Sequence, residues 1–147
     1  MPGGPIMGPI GTPSSDGIEW EDNASAMTGM GGMGMMSWRI IDQATGRQNM
    51  DIAWNFHLGD KVKIRIVNDS NSMHAMQHPI HFHGQRFLVL SENGKANTNL
   101  VWKDTVLVPA GATVDILLDA SNKGNWMAHC HIAEHLEGGM MFTYVVQ

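Results

Sequence analysis

His129, Cys130, His131, His135 and Met140 put three imidazoles, a thiolate and a thioether within twelve residues, and His78, His81 and His83 add three imidazoles in a second short stretch. Soft sulfur combined with imidazole suits copper better than other biological metals. Two imidazoles and a thiolate with a weak axial thioether let the ion cycle between its cuprous and cupric states with little rearrangement. Zinc is the competing reading, because His131 and His135 are spaced i,i+4 as on a zinc-binding helix, with Cys130 as a third ligand. A structural zinc site rarely leaves further histidines clustered in a neighbouring motif, which weighs against it.

Successive side chains of an extended strand point to opposite faces. His129 and His131 therefore share one face while Cys130 points to the other, and His81 and His83 share a face while His78 points away. If the two segments are neighbouring strands and Pro79 keeps the alternation, His78 and Cys130 meet on one side of a sheet. His81, His83, His129 and His131 then meet on the opposite side. The first side, with His135 and with Met140 approaching from a fourth direction, is a blue-copper set. The second could hold copper through four imidazoles, but a dioxygen-reducing cluster needs several coppers and more ligands than this chain offers. Something has to complete it.

The motifs HPIHFHG at 78–84 and HCHIAEHLEGGM at 129–140 resemble those of the C-terminal cupredoxin domain of laccase-type multicopper oxidases, and the resemblance runs from about Ser37 to Gln147. It implies that His78, Cys130, His135 and Met140 are type 1 copper ligands, His81 a type 2 ligand, and His83, His129 and His131 type 3 ligands of a trinuclear cluster. It further implies that Cys130 with its neighbours His129 and His131 is the electron path between the two sites, with substrate electrons entering the type 1 copper through an exposed edge of His78 or His135. Dioxygen and a phenolic or cuprous reductant are the implied substrates, and an extracytoplasmic location, periplasmic or secreted, follows from the family alone. In that family the other half of the cluster comes from a further cupredoxin domain with two more His-x-His motifs, which this chain lacks.

Three assemblies are then open. The chain is one part of a larger oxidase, or it self-associates, or it is a mononuclear blue-copper electron carrier without oxidase activity. A two-fold interface is isologous, so an axis beside the four-histidine face would gather twice four, eight imidazoles, the family's count. A ring would need the second half on another surface, where only His57 and His74 remain. Four clustered imidazoles serve no purpose in a pure electron carrier, which ranks the oxidase first.

The 147 residues suffice for one domain with a good core. A net charge of −5 and a pI near 5.8 leave no basic stripe for nucleic acid. Cys130 is the only cysteine, so no internal disulfide forms. Residues 1–30 lack the charged start and apolar run of a signal peptide, and no apolar stretch approaches the roughly eighteen residues of a membrane span.

Residues 1–36, rich in Gly, Pro, Ser and Met, read as an arm or linker ahead of a domain at 37–147. Beyond it, short β-rich runs at 38–41, 51–56, 62–67, 86–90, 105–108, 113–118, 126–129 and 141–146 have the spacing of an all-β, Greek-key sandwich, which the resemblance specifies as the cupredoxin type. Turn residues at Asn93-Gly94, Pro109-Ala110-Gly111 and Lys123-Gly124-Asn125 separate the later runs, and residues 132–136 suit one helical turn.

In the arm, Met27, Met30, Met33, Met35 and Met36 place five thioethers in ten residues, a set that binds cuprous ion or merely makes an adaptable linker. His57 and His74 read as surface or loop residues, with His74 near enough to His78 to line a substrate entrance. Glu134 and Glu137 read as solvated charge that could also relay protons. Met141 reads as core packing, pointing away from Met140.

Overall fold

The computed structural model describes residues 36–72 and 74–147, so the 1–35 part of the expected arm, with Met27, Met30, Met33 and Met35, lies outside the described residues. Among the described residues nine strands form two sheets: β1 (Ala53–Phe56), β2 (Lys61–Val67), β3 (His78–Phe82), β4 (Arg86–Glu92), β5 (Lys95–Ala96), β6 (Thr105–Val108), β7 (Thr113–Asp119), β8 (Gly124–Cys130) and β9 (Met141–Val146). One helical turn, α1 (Ala133–Glu137), separates β8 from β9. The five-stranded sheet has the order β1-β9-β8-β3-β6 and the four-stranded sheet β2-β7-β4-β5.

The core lies between the sheets because each contributes an alternating apolar face. From the five-stranded sheet come Ile80, Phe82, Val106, Val108, Phe142 and Tyr144, and from the other Ile64, Phe87, Val114, Ile116 and Leu118, all buried. Lys61, Lys63 and Arg65 alternate outward along β2, where Lys61 meets the carboxylate of Asp119 at 2.6 Å and Arg65 that of Asp115 at 2.8 Å. The β4–β5 hairpin turns on Asn93 (φ 50°) and Gly94 (φ 77°), the left-handed pair that a tight two-residue hairpin needs.

The sandwich agrees with the spacing of the runs, but residues 38–41 are not a strand. Only Ile41 makes a bridge, to Gln48. The segment instead crosses the end of the sandwich as a strap, because Trp38 finds its partners in Gly138 and Asn49 rather than in a neighbouring strand. The run expected at 51–56 begins at Ala53, after a 3-10 turn at Asn49–Asp51, and Gly124 and Asn125, read as turn residues, open β8.

Candidate metal centre

β3 and β8 lie antiparallel with Ile80 opposite Cys130 and His81 opposite His129. Pro79 leaves the alternation intact: the burial of β3 follows a strict two-residue period, with His78, Ile80 and Phe82 inward. Cys130 therefore points into the sandwich on the side of His78, and His129 points out beside His81.

On the inner side His78, Cys130 and His135 are buried and converge. The Nδ1 atoms of His78 and His135 are 3.1 Å apart, and Cys130 Sγ lies 3.7 Å from the first and 3.4 Å from the second. Metal bonds of about 2.0–2.3 Å to nitrogen and sulfur set three ligands around one ion roughly 3.5–3.8 Å apart, so the triangle fits after a small widening between the imidazoles. Helix α1 brings His135 back over the strand end. Met140 is fixed beside Cys130 by two backbone bonds, its carbonyl accepting from Cys130 N–H at 3.1 Å and its N–H donating to His135 O at 3.0 Å. It is 7% exposed and borders the same core.

Burial, with the nearby His135 second, pushes His78 down to about 4, and burial also lowers His135 against the pull of Glu134. Burial raises the Cys130 thiol, opposed by a backbone hydrogen bond from Ile132. At neutral pH both imidazoles thus keep free lone pairs, and a metal ion has only the thiol proton to displace.

On the outer side four histidine rings form a patch. His81 lies 4.6 Å from His83, 5.6 Å from His129 and 5.9 Å from His131 between ring centroids. His83 and His129 bring their Nε2 atoms within 3.0 Å. His81 Nδ1 donates to Asp104 O at 2.9 Å and His129 Nδ1 to Cys130 O at 2.8 Å, so both rings keep Nε2 as the outward lone pair. His83 is held below the usual imidazole range by burial first and then by His81, His129 and His131. Gly84 (φ 74°) lets the chain turn after His83 with its Cα against the Trp126 indole, where a Cβ would overlap the ring.

The sequence profile of the family described as multicopper oxidase matches residues 21–147. The chain belongs to the multicopper oxidase family. An iron transport multicopper oxidase of Schizosaccharomyces pombe is 34% identical over 106 residues, covering 63% of this chain and 16% of that protein. Among solved structures, the multicopper oxidase of the hyperthermophile Aquifex aeolicus is 39% identical with a TM-score of 0.55, over 64% of this chain and 21% of its own. That of Pediococcus acidilactici is 29% identical with a TM-score of 0.59, over 76% of this chain and 22% of its own. The chain thus spans about a sixth of the length of the curated relative and about a fifth of these two structures.

As a cupredoxin-type domain of the multicopper oxidase family it takes copper as its cofactor, and the buried His–Cys–His triangle is a donor set that suits the ion. Two expectations need correction. Among the described residues His78 and His135 present no exposed edge to a reductant: they are 8% and 2% exposed, with Trp38 over His135 and edge-on to His78. Met141 is not core either. It stands opposite His129 on the outer face, half-buried, while Met140 is inward. His57 and His74 are exposed, and His74 reaches the rim of a cavity of about 1210 Å³ that His78 and Met140 also line. Glu134 is half-buried and Glu137 exposed. The structure adds residues that motif spacing does not indicate. Tyr144 donates its hydroxyl to the His83 carbonyl, and Trp38 and Asn49 shape the inner site. Only the paired glycines 138 and 139 hinted at a close approach there.

Proposed function

We propose that the chain is the type 1 copper domain of a laccase-like oxidase, with His78, Cys130, His135 and Met140 holding one copper. In this reading His81 (type 2), with His83, His129 and His131 (type 3), holds part of a trinuclear cluster. Copper supplies one-electron transfer at the inner site and four-electron reduction of dioxygen to water at the outer one. The observation that carries this reading is the β3–β8 register, which gives one peptide two faces: Cys130 inward, and its covalent neighbours His129 and His131 at the outer patch. Electrons leaving the inner site need cross only that short backbone. The chain's own residues do the rest: burial keeps the imidazoles neutral, and hydrogen bonds to Asp104 and Cys130 carbonyls orient His81 and His129.

The outer patch lies on the face of the five-stranded sheet away from the core, with Leu107 49% exposed in the same sheet. That placement supports completion of the cluster by another surface, either the remaining domains of an oxidase or a second copy across a two-fold axis. The reductant is phenolic or cuprous, with Met27, Met30, Met33, Met35 and Met36 as cuprous ligands in the second case, and the location is extracytoplasmic. The arm at 1–36 ahead of the domain at 37–147 belongs to the same reading.

Two substitutions test it. Cys130→Ser should abolish the thiolate-to-copper absorption and all oxidase activity; His81→Ala should keep the absorption and stop dioxygen consumption. Oxidase activity surviving His81→Ala refutes the cluster. Native mass spectrometry of the copper-loaded chain decides the assembly. A homo-oligomer with more than one copper per chain means self-completion; one copper on a monomer means an electron-transfer domain or half of an oxidase awaiting its partner. Replacing the five methionines by leucine should lower cuprous turnover alone; equal loss of phenol oxidation removes their role.

A further inference from the structure

The strap ahead of β1 touches the inner site through the ring of Trp38. The Trp38 indole lies over the His135 imidazole, centroids 3.8 Å apart and planes 31° from parallel, and meets His78 at 5.6 Å and 72°. Its backbone is fixed on both sides: Trp38 N–H donates to Gly138 O at 3.1 Å and Asn49 Nδ2 donates to Trp38 O at 3.2 Å. Asn49 adopts φ 47°, a left-handed conformation that asparagine tolerates. From it Asn49 Oδ1 accepts from Ile40 N–H at 2.8 Å while its own N–H donates to Ile40 O at 2.9 Å.

The opposing surface is cut to fit. A Cβ on Gly138 would stand 2.5 Å from Trp38 Cδ1, and one on Gly139 would stand 3.0 Å from Asn49 Nδ2. Trp38, Asn49, Gly138 and Gly139 thus build one contact, though none of them is a metal ligand. Beneath it His135 is 2% exposed, and Cys130, in the core beside it, 0%.

We propose that Trp38 is a positioning residue that seals the inner site on its His135 side, fixing the plane of the His135 ring and keeping small anions from that side of the donor triangle. Without it an outside ligand could join the ion, and a fuller, more polar ligand set would favour the cupric state. The seal itself is a property of the metal-free chain; its effect on copper rests on the proposed function.

Cys130 is the only cysteine, so thiol labelling reports this pocket alone. In metal-free protein, iodoacetamide should label Trp38→Ala about ten-fold or more faster than wild type. The rate should be nearly flat in low urea, because local opening exposes little surface. Trp38→Phe, which keeps a ring over His135, should stay near wild type. In copper-loaded protein, azide should perturb the thiolate-to-copper absorption of Trp38→Ala only. Asn49→Ala loosens the same strap and carries the comparison if Trp38→Ala does not fold. Equal labelling in all variants overturns the seal, as does a labelling rate that rises steeply with urea. If labelling behaves as expected but no variant develops the absorption with copper, the seal stands and the copper reading fails.

Discussion

His81 stands opposite His129 in the β3–β8 ladder, one position from the pair Ile80 and Cys130. Because side chains alternate, that single register sorts six potential ligand positions, 78, 81, 83, 129, 130 and 131, between two sides of a sheet. A slip of one residue would send the thiolate outward and its flanking histidines into the core. The apolar partners Phe82, Ala128 and Phe142, each 2% exposed or less, make such a slip costly.

The metal-free domain should weaken in mild acid. His78 is pushed down to about 4 from 6.5, so between those values the unfolded chain binds more protons than the folded one. Stability is therefore fully present above about pH 6.5 and is lost as pH falls toward 4, by on the order of 2–3 kcal/mol from this residue. His83 and His135 are lowered too and add to the same trend. Urea midpoints at pH 7.5 and 5 check it; equal midpoints would count against a neutral, buried His78.

Much of this arrangement was legible in the residues. Alternation needs only a two-residue period, so the split of the motif imidazoles and the one thiolate could be read from positions 78–83 and 129–131, and Pro79 did not disturb it. Trp38 was not legible. Its surroundings are rich in β-formers, yet its partners, His135 and Gly138, come from far along the chain, and nothing near Trp38 itself marks such a contact. The same blindness produced the expected exposed edge of His78 and His135, since exposure depends on what the rest of the chain lays over a residue.

Copper binding at the inner site should release one proton. The imidazoles are already neutral at pH 7 while burial keeps the Cys130 thiol protonated, so apparent cupric affinity should rise about tenfold per pH unit between roughly pH 6.5 and 7.5. Competition titrations across that range measure the slope. A flat profile would mean that the thiol is already ionised, and a slope near two that a histidine is protonated.

Tyr144→Phe should cost about 1–2 kcal/mol, because it leaves the His83 carbonyl without its buried donor. Its second effect is local: with His83 less well held, copper retention on the outer patch should fall while the thiolate-to-copper absorption of the inner site is unchanged. Dialysis against a chelator, followed by copper counting and an absorption spectrum, separates the two; loss of the absorption would contradict it.

Gly84→Ala and Gly94→Ala form a matched pair, since both glycines have positive φ, 74° and 77°, but only Gly84 packs on an indole. Gly94→Ala should cost about 1 kcal/mol of backbone strain, and Gly84→Ala about 1–3 kcal/mol more as Trp126 is displaced. Equal urea midpoints for the two variants would show that the Trp126 contact is slack.

Among the described residues β1 has β9 as its one neighbour in the five-stranded sheet, and the two run parallel, Ala53 beside Thr143 and Phe56 beside Val146. Such a pairing joins distant parts of the chain and forms slowly. During synthesis β1 waits unpaired until β9 has left the ribosome, and Met140, just ahead of β9, emerges only shortly before. The domain therefore completes its metal pocket and closes its sheet in nearly the same step. A nascent chain has no finished pocket to offer an ion.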